Sequence, residues 1–295
     1  MIALIFRRRP WGNSGIAHMI CLVWGLEMGF GGIERLLRYA PDDASTKQRC
    51  LMRRRNVALR ETESWRPPAL RNPGLVRRMG DLQLASIWRD LRPLLALETG
   101  DVLDVGCGEQ PYRALLTRAN SYQGLDIAES HERFGYARED TLYVNGYPWP
   151  VPDGSIDLAL CTEVLEHVLQ PTALLNEVRR CLRPGGRLLM TVPFAARWHF
   201  VPFDYWRFTP SGITYLLRKS DFSNIRIYSR GNPLTVTAQK VLALIAPLGG
   251  MRLPLSPVAA AAALVGHWSL RRDWGEDCLG YTVMATRSHA EVTTR

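Results

Sequence analysis

Between residues 82 and 105, the hydrophobic positions change from helical spacing to a continuous apolar run. Apolar side chains first recur every three or four residues, which places them on one face of a helix. They are Leu84, Ile87, Trp88, Leu91 and Leu95. The short run at residues 101–105 is typical of a buried strand. A helix that packs against a sheet is therefore predicted here.

The same alternation continues to the end of the chain. Short apolar runs predict further strands at residues 122–125, 156–161, 187–192, 225–228 and 279–285. Helical spacing at residues 171–182 and from residue 210 onwards predicts helices between them. Strands that alternate with helices favour a doubly wound α/β fold, in which helices cover a mostly parallel sheet.

Proline, glycine and threonine mark the ends of two of these helices. Pro171 and Pro210 suit a first helical turn, and Thr209 is predicted to cap the second helix. The sequence Pro184-Gly185-Gly186 is predicted to end the first one.

The net charge of +9 is concentrated at the start of the chain, because residues 1–60 contain eleven basic and four acidic residues. Three prolines within residues 61–75 indicate a linker. We therefore expect a basic extension at residues 1–65 and one domain at residues 66–295. The apolar run at residues 16–33 is interrupted by Glu27 and several glycines, and a signal peptide or membrane anchor is the alternative interpretation.

A second apolar stretch, at about residues 237–270, is broken by Pro247, Pro254 and Pro257. We expect a helical insertion that covers the sheet or a substrate cleft, with peripheral membrane contact as the alternative. The six cysteines are isolated and form no CxxC pair, so we expect reduced thiols, no metal site and a cytoplasmic protein.

The strongest chemical motif is the sequence VLDVGCGEQPY, in which a strand ends at Asp104 and Val105 and a glycine turn leads into a predicted helix. Gly106 and Gly108 allow a ligand to approach the backbone closely. Asp126 lies 22 positions after Asp104, at the end of the next strand, where a carboxylate can accept hydrogen bonds from both ribose hydroxyls. The motif therefore predicts a nucleoside site.

Dinucleotide-binding proteins share this geometry but use three glycines to seat a pyrophosphate. Here Pro111 occupies the position of the third glycine, and Glu109 adds a negative charge. Both residues disfavour a pyrophosphate.

Four segments in order, VLDVGCGEQPY, YQGLDI, WPVPDGSIDLALCTEVLEHV and LRPGGRLLMTVPF, resemble the motifs of class I S-adenosylmethionine-dependent methyltransferases, especially those acting on small molecules. The resemblance covers about residues 98–228. It implies a Rossmann-like sheet of seven strands, mostly parallel with an antiparallel last strand, and S-adenosylmethionine as the cofactor.

The resemblance also implies a role for individual residues. Asp104 would face the methionine part of the cofactor, and Gly106 and Gly108 would pack under it. Thr162 and Glu163 would line the methionine side, and Cys107 would also belong to the cofactor site. Asp126 would bind the ribose, Ile127 would flank the adenine, and Asn145-Gly146 would meet its amino group. The family usually has an acidic residue at that last position, but the asparagine carbonyl can accept the same hydrogen bond. For three nearby residues the interpretation without a functional role is that Asp157 and Glu166 are solvated and that His167 is a packing or helix-start residue.

The segment at residues 193–208 is rich in aromatic and ionisable side chains and should face the methyl acceptor. Tyr205 and Arg207 are candidates for binding the acceptor, and His199 and Asp204 are candidate general bases. The alternative is that the aromatic residues form a lid and Asp204 pairs with Arg207. The sequence WHFVPFDYWRFTPSGI resembles a segment of methyltransferases encoded near glycan-assembly enzymes, which implies a saccharide or lipid-linked acceptor.

Methyl transfer to oxygen of a small-molecule or glycan-like acceptor is therefore the predicted function. RNA or DNA methylation is an alternative suggested by the basic extension, although residues 161–165 lack the Asn/Asp-Pro-Pro-aromatic motif of base-amino methyltransferases. A catalytically silent module that binds the cofactor is a further alternative.

Overall fold

The structure is a computed structural model that describes residues 74–135, 137–246, 252–272 and 277–288. The predicted basic extension, the apolar run at residues 16–33 and residues 61–73 of the predicted linker lie outside these ranges, so the domain boundaries stay predictions.

Seven strands form one sheet in the order β3-β2-β1-β4-β5-β7-β6. They are β1 (Asp101–Val105), β2 (Ser121–Ile127), β3 (Thr141–Val144), β4 (Ile156–Thr162), β5 (Leu182–Pro193), β6 (Phe222–Arg230) and β7 (Gly280–Arg287). The first five strands are parallel, whereas β7 runs antiparallel to both β5 and β6. The predicted fold class and the antiparallel last strand are confirmed.

Seven α-helices lie within the described residues. They are α1 (Leu75–Gly80), α2 (Leu82–Leu95), α3 (Ser130–Phe134), α4 (Pro171–Cys181), α5 (Pro210–Lys219), α6 (Pro233–Ile245) and α7 (Arg252–Ser269). Two 3-10 helices span Arg113–Leu115 and Leu165–His167.

Helices cover both faces of the sheet, as the buried side chains of β4 show. Ala159 and Cys161 pack in the cluster that contains α4 and α5, whereas Leu158 and Leu160 point to the other face and pack against α2. This alternation follows from the two-residue period of a strand. Both faces are buried, so the polar chemistry is confined to the ends of the strands.

Two predictions about local structure were wrong. The glycine turn after β1 does not lead into an α-helix, because only the 3-10 helix Arg113–Leu115 lies between β1 and β2. In addition, α4 ends at Cys181, before Pro184-Gly185-Gly186. Those three residues lie inside β5, where the pairing with β4 shifts register between Leu182 and Arg187. The turn-forming residues therefore make a bulge instead of a helix end.

Helices α6 and α7 lie between β6 and β7 and pack on the start of α2. Leu82 contacts Ala238 and Leu242 in this cluster, and the Leu82 backbone N–H donates to Gln239 Oε1 at 2.9 Å. Among the described residues, no helix combines the length and the apolar character needed to cross a bilayer.

Candidate active site

The turn after β1 depends on two glycines with left-handed backbone conformations. Gly106 has a φ of 66° and Gly108 a φ of 49°, a region that residues with a Cβ rarely adopt. A Cβ at Gly106 would also lie 2.5 Å from Cγ2 of Val164. The turn is therefore pressed against the segment that follows β4.

The backbone N–H groups of this turn point towards β2. Gly106 and Cys107 donate to the Leu125 carbonyl at 2.8 and 3.1 Å, and Gly108 donates to Asp126 Oδ2 at 3.0 Å. A pyrophosphate site needs such N–H groups aimed at the phosphates, usually at the start of a helix. Here they donate to protein oxygens instead, so they are not aimed at a ligand.

Asp126 lies directly beside the glycine turn, as the sequence predicted. Its Oδ1 accepts a hydrogen bond from the Ile127 N–H at 2.8 Å, and burial raises the pKa of its carboxyl. Each carboxylate oxygen has two lone pairs, so both can accept a further hydrogen bond. Asn145 and Gly146 are exposed at the end of β3, next to β2. The strand ends thus bring these sequence-predicted residues to one edge.

Asp104 is buried beneath the same edge. Its Oδ2 accepts a hydrogen bond from the Tyr122 hydroxyl at 2.8 Å, whereas its Oδ1 is buried with no partner among the described residues. Burial, with a smaller contribution from Asp126, raises the pKa of the carboxyl to about 7. An unpartnered carboxylate oxygen suits the positively charged amino group of S-adenosylmethionine, so these residues fit that cofactor.

Cys107 also lies in this turn, with its side chain buried. Burial raises the pKa of the thiol, so the group is neutral at physiological pH. Its Sγ lies 3.6 Å from Thr141 Oγ1. The residue fits a packing role beneath the cofactor and not a nucleophilic one.

Glu163 follows Thr162 at the end of β4 and is held by two residues that the sequence analysis missed. Its Oε1 accepts from Arg230 at 2.7 Å, and its Oε2 accepts from Gln83 Nε2 at 2.9 Å. Arg230 is completely buried and also donates to the Val192 carbonyl. Because these partners lie on β6 and α2, far away in sequence, no local motif indicated them.

In the segment predicted to face the acceptor, Asp204 pairs with Arg207. The guanidinium donates to both carboxylate oxygens, at 2.6 and 2.8 Å, and the His199 backbone N–H donates to Oδ2 at 3.0 Å. Burial opposes ionisation, but the hydrogen bonds from Arg207 and His199 hold the pKa of Asp204 well below its usual range. Such a weak base is unsuited to remove a proton from a hydroxyl. The candidate acceptor-binding residue Tyr205 is exposed beside this pair.

A cluster of Glu166, His167 and His199 lies next to this pair. Its potential metal-ligating atoms all lie within 4.8 Å of one another. Glu166 was expected to be solvated, but its side chain is fully buried because the segment around Phe203 and Asp204 folds over it. The Tyr205 N–H donates to the Glu166 carbonyl at 2.8 Å. Sequence reasoning missed this cluster, since His199 lies 32 positions after His167.

The electrostatic surroundings of the cluster favour neutral groups. Burial raises the pKa of Glu166 well above its ordinary value, with Glu163 adding to the effect. Burial and the neighbouring His199 lower the pKa of His167 to about 4. The His167 ring lies in edge-to-face contact with His199, at a centroid distance of 4.9 Å, and with Phe200 at 5.6 Å.

Two kinds of comparison bear on this arrangement. A family model described as a methyltransferase domain matches residues 80–226, the region that contains β1 to β5 and the glycine turn. A solved structure of a SAM-dependent methyltransferase from Archaeoglobus fulgidus is similar over 70% of this chain and 94% of that one, with 16% identity and a TM-score of 0.46.

Curated relatives are similar over shorter segments. A probable S-adenosylmethionine-dependent methyltransferase of Mycolicibacterium smegmatis is 37% identical over 97 residues, which cover 32% of this chain and 38% of the relative. A ubiquinone biosynthesis O-methyltransferase of Xanthomonas oryzae is 32% identical over 106 residues, covering 33% of this chain and 44% of the relative. The chain thus spans less than half the length of either relative. The matching domain model, the relatives named as methyltransferases and the sheet order show that residues 80–226 of this chain form a domain of the class I S-adenosylmethionine-dependent methyltransferases.

Proposed function

We propose that this protein transfers the methyl group of S-adenosylmethionine to a hydroxyl oxygen of a small-molecule or glycan- or lipid-linked acceptor. The observation that carries the cofactor half of this proposal is the 3.0 Å contact between the Gly108 N–H and the Asp126 carboxylate. The cofactor supplies a methyl group that its sulfonium already activates. The protein's own residues have to hold the two substrates in line and exclude water.

Asp126 would accept hydrogen bonds from the ribose, and the unpartnered oxygen of Asp104 would face the amino group of the cofactor. Glu163, fixed by Arg230, would line the methionine side. Ile127 and Asn145 would lie around the adenine.

An oxygen acceptor is supported by the chemistry near residues 197–207. A hydroxyl has to lose its proton during methylation, and imidazole is the side chain best suited to that step near neutral pH. His199 remains a candidate for this role, whereas Asp204 would position it. The relative from Xanthomonas oryzae is named as an O-methyltransferase, which agrees with this choice.

A glycan-like or lipid-linked acceptor is supported by three exposed aromatic side chains in the same segment. Trp198, Tyr205 and Trp206 are each about two-fifths exposed. Such rings present apolar surface beside a polar group, which suits the faces of sugar rings and isoprenoid-like chains. The basic residues on which the nucleic-acid alternative depends lie outside the described residues.

Calorimetry with S-adenosylmethionine tests the cofactor half. We expect Asp126→Ala to weaken binding by at least about 100-fold, since it removes a charged acceptor of two hydrogen bonds. Asp153→Ala removes an exposed carboxylate away from the turn and is the matched control. Equal affinity of Asp126→Ala and the unaltered protein would exclude the ribose assignment.

Methyl transfer itself is tested with cofactor labelled in its methyl group and fractions of hydroxylated small molecules, glycans, lipids and RNA. We expect label in a glycan, lipid or small-molecule fraction, released by reagents that cleave methyl ethers. Label only in RNA would support the nucleic-acid alternative. Tight cofactor binding without any transfer would support a silent binding module.

A further inference from the structure

The cluster of Glu166, His167 and His199 contains a polar group that the protein itself does not satisfy. Both carboxylate oxygens of Glu166 are buried and have no hydrogen-bond partner on any other described residue. The nearest cationic candidate is His167 Nε2, 3.7 Å from Oε1, which is beyond hydrogen-bond distance. A buried carboxylate without a partner is costly, so its retention at the mouth of an active site indicates a ligand.

The two histidines are held in orientations that suit metal binding. His167 Nδ1 lies 2.6 Å from the Phe203 carbonyl oxygen, which can only accept, so Nδ1 carries the proton. His199 Nδ1 lies 3.0 Å from the Arg197 carbonyl and 3.0 Å from Asp204 Oδ2, which are also acceptors. The Nε2 atoms therefore carry the lone pairs. Histidines that bind metals characteristically donate their other ring N–H to a carbonyl or carboxylate in this way.

The distances between the potential ligand atoms are only slightly longer than those in a metal site. Ligand atoms bound to zinc at 2.0–2.2 Å lie roughly 3.5 Å apart in a tetrahedron. One potential ligand atom from each of the three residues lies within 4.8 Å of the other two, and His167 Nε2 lies 3.7 Å from Glu166 Oε1, so small side-chain movements would complete the site. The imidazoles are each about one-tenth exposed, which leaves a path for an ion.

We propose that Glu166, His167 and His199 bind a divalent transition-metal ion of the zinc type. Two histidines and one glutamate form a ligand set of catalytic zinc sites, in which a fourth position stays open for water or substrate. The set contains no thiolate, which disfavours copper(I) and iron–sulfur clusters, and its imidazoles disfavour magnesium and calcium.

The site lies beside the predicted cofactor pocket. Glu166 comes two residues after Val164, whose side chain is packed against Gly106 of the glycine turn. A metal ion lowers the pKa of a hydroxyl bound in its open position. With the ion bound, His199 would act as a ligand instead of as the general base considered above, so the hydroxyl proton would pass to solvent. The oxygen lone pair would form the new C–O bond, and the electrons of the broken C–S bond would stay on sulfur. This role rests on the proposed oxygen methylation, whereas metal binding does not.

The test uses the full chain, treated with a chelator and then titrated with Zn²⁺ in a calorimeter. We expect one tight site per chain, and we expect Glu166→Gln and His167→Gln each to weaken it by at least about 100-fold, because loss of an outer-shell partner alone costs 10–100-fold. His267→Gln is the matched control, since His267 lies on α7, outside the cluster, with its Nε2 3.1 Å from the Met79 carbonyl oxygen. Co²⁺ in place of Zn²⁺ gives a visible spectrum that reports nitrogen ligands.

Binding of S-adenosylmethionine by each variant shows whether it is folded. Absence of tight zinc binding by the unaltered chain, or equal zinc affinity in the Glu166 and His167 variants, would overturn the metal site. If a variant fails to fold, a Co²⁺ spectrum of the unaltered chain without imidazole ligation would also overturn it. Zinc binding without any affinity for S-adenosylmethionine would instead contradict the proposed function, so the two failures are distinguishable.

Discussion

The two halves of the candidate active site orient their side chains with different backbone groups. In the cofactor half, which comprises Asp104, residues 106–108 and Asp126, backbone N–H groups donate to the Asp126 carboxylate. In the acceptor half, which comprises Glu166, His167 and residues 194–208, one backbone N–H also donates to a carboxylate, but both imidazole rings are oriented by backbone carbonyls.

This difference determines what each half can offer to a ligand. Asp126, already oriented by two N–H groups, presents carboxylate lone pairs to hydroxyl hydrogens. The imidazoles, oriented by carbonyls, present Nε2 lone pairs to a proton or a cation. The first half is suited to hold a nucleoside in place, and the second to act on the acceptor.

Substitution of Gly106 by alanine should have the largest effect, because it should both destabilise the protein and disrupt the cofactor half. The new Cβ would meet the stiff, branched side chain of Val164 and occupy a strained backbone conformation. We expect a loss of about 3–5 kcal/mol in the free energy of unfolding, measured by urea denaturation, together with loss of cofactor binding.

A double variant separates the two causes of this loss. Val164→Ala removes the steric contact but not the backbone strain, so Gly106→Ala/Val164→Ala should recover only part of the stability. Full recovery would show that strain in the left-handed conformation contributes nothing to the loss of stability. If Gly106→Ala alone left the free energy of unfolding unchanged, the turn described above would be contradicted.

Arg230→Met should lower the free energy of unfolding, since Arg230 is the ion-pair partner of Glu163 at the end of β4, where the two halves meet. Removal of one partner of a buried ion pair costs about 3–5 kcal/mol, but the Glu163 side chain is one-quarter exposed, which reduces the expected loss to about 2–3 kcal/mol. Chemical denaturation measures it. Adding Glu163→Gln removes the unpaired charge and should restore part of the stability, whereas additive losses would argue against a coupled pair.

Asp104→Asn should alter the pH dependence of stability. The pKa of Asp104 is raised from 3.8 to about 7 in the folded protein, so the native state retains a proton that the unfolded chain loses. The unaltered protein should therefore lose stability between about pH 4 and pH 7, by up to roughly 4 kcal/mol. The asparagine cannot ionise, so its stability relative to the unaltered protein should rise across this window. Parallel unfolding curves at pH 5 and pH 8 would contradict the raised pKa.

The cofactor half could be predicted from the sequence because its residues are close to one another along the chain. Asp104, Gly106 and Gly108 share one turn, and parallel pairing of β1 with β2 brings Asp126 to the same edge. Local patterns also predicted α2 and the start of α5 correctly. The strand β3 was missed because its residues are mostly partly exposed and show no clear alternation.

Only part of the acceptor half could be predicted. The pairing of Asp204 with Arg207 was one of two interpretations of the sequence and is confirmed, whereas the cluster of Glu166, His167 and His199 is assembled by tertiary structure. The ring of His199 meets His167 only after the segment beyond β5 folds back over the 3-10 helix Leu165–His167. Glu166 appears polar and exposed in the sequence, whereas the folded chain buries it. Likewise, no motif links Gln83 and Arg230 to Glu163. Side chains that act across large sequence separations leave no periodic pattern.

The smallest effect is predicted for Thr209, which directly follows residues 194–208. Thr209 caps α5, with its Oγ1 accepting a hydrogen bond from the Gly212 N–H at 3.2 Å. Thr209→Ala should lower the free energy of unfolding by about 1 kcal/mol. Thr209→Ser, which keeps the capping hydroxyl, should lower it much less. Because α5 anchors residues 194–208 but does not contact the glycine turn in any described hydrogen bond, cofactor affinity should stay unchanged while turnover falls. A loss of cofactor affinity as large as the loss of turnover would mean that the two halves are coupled through α5. They could then not be treated as independent parts of the site.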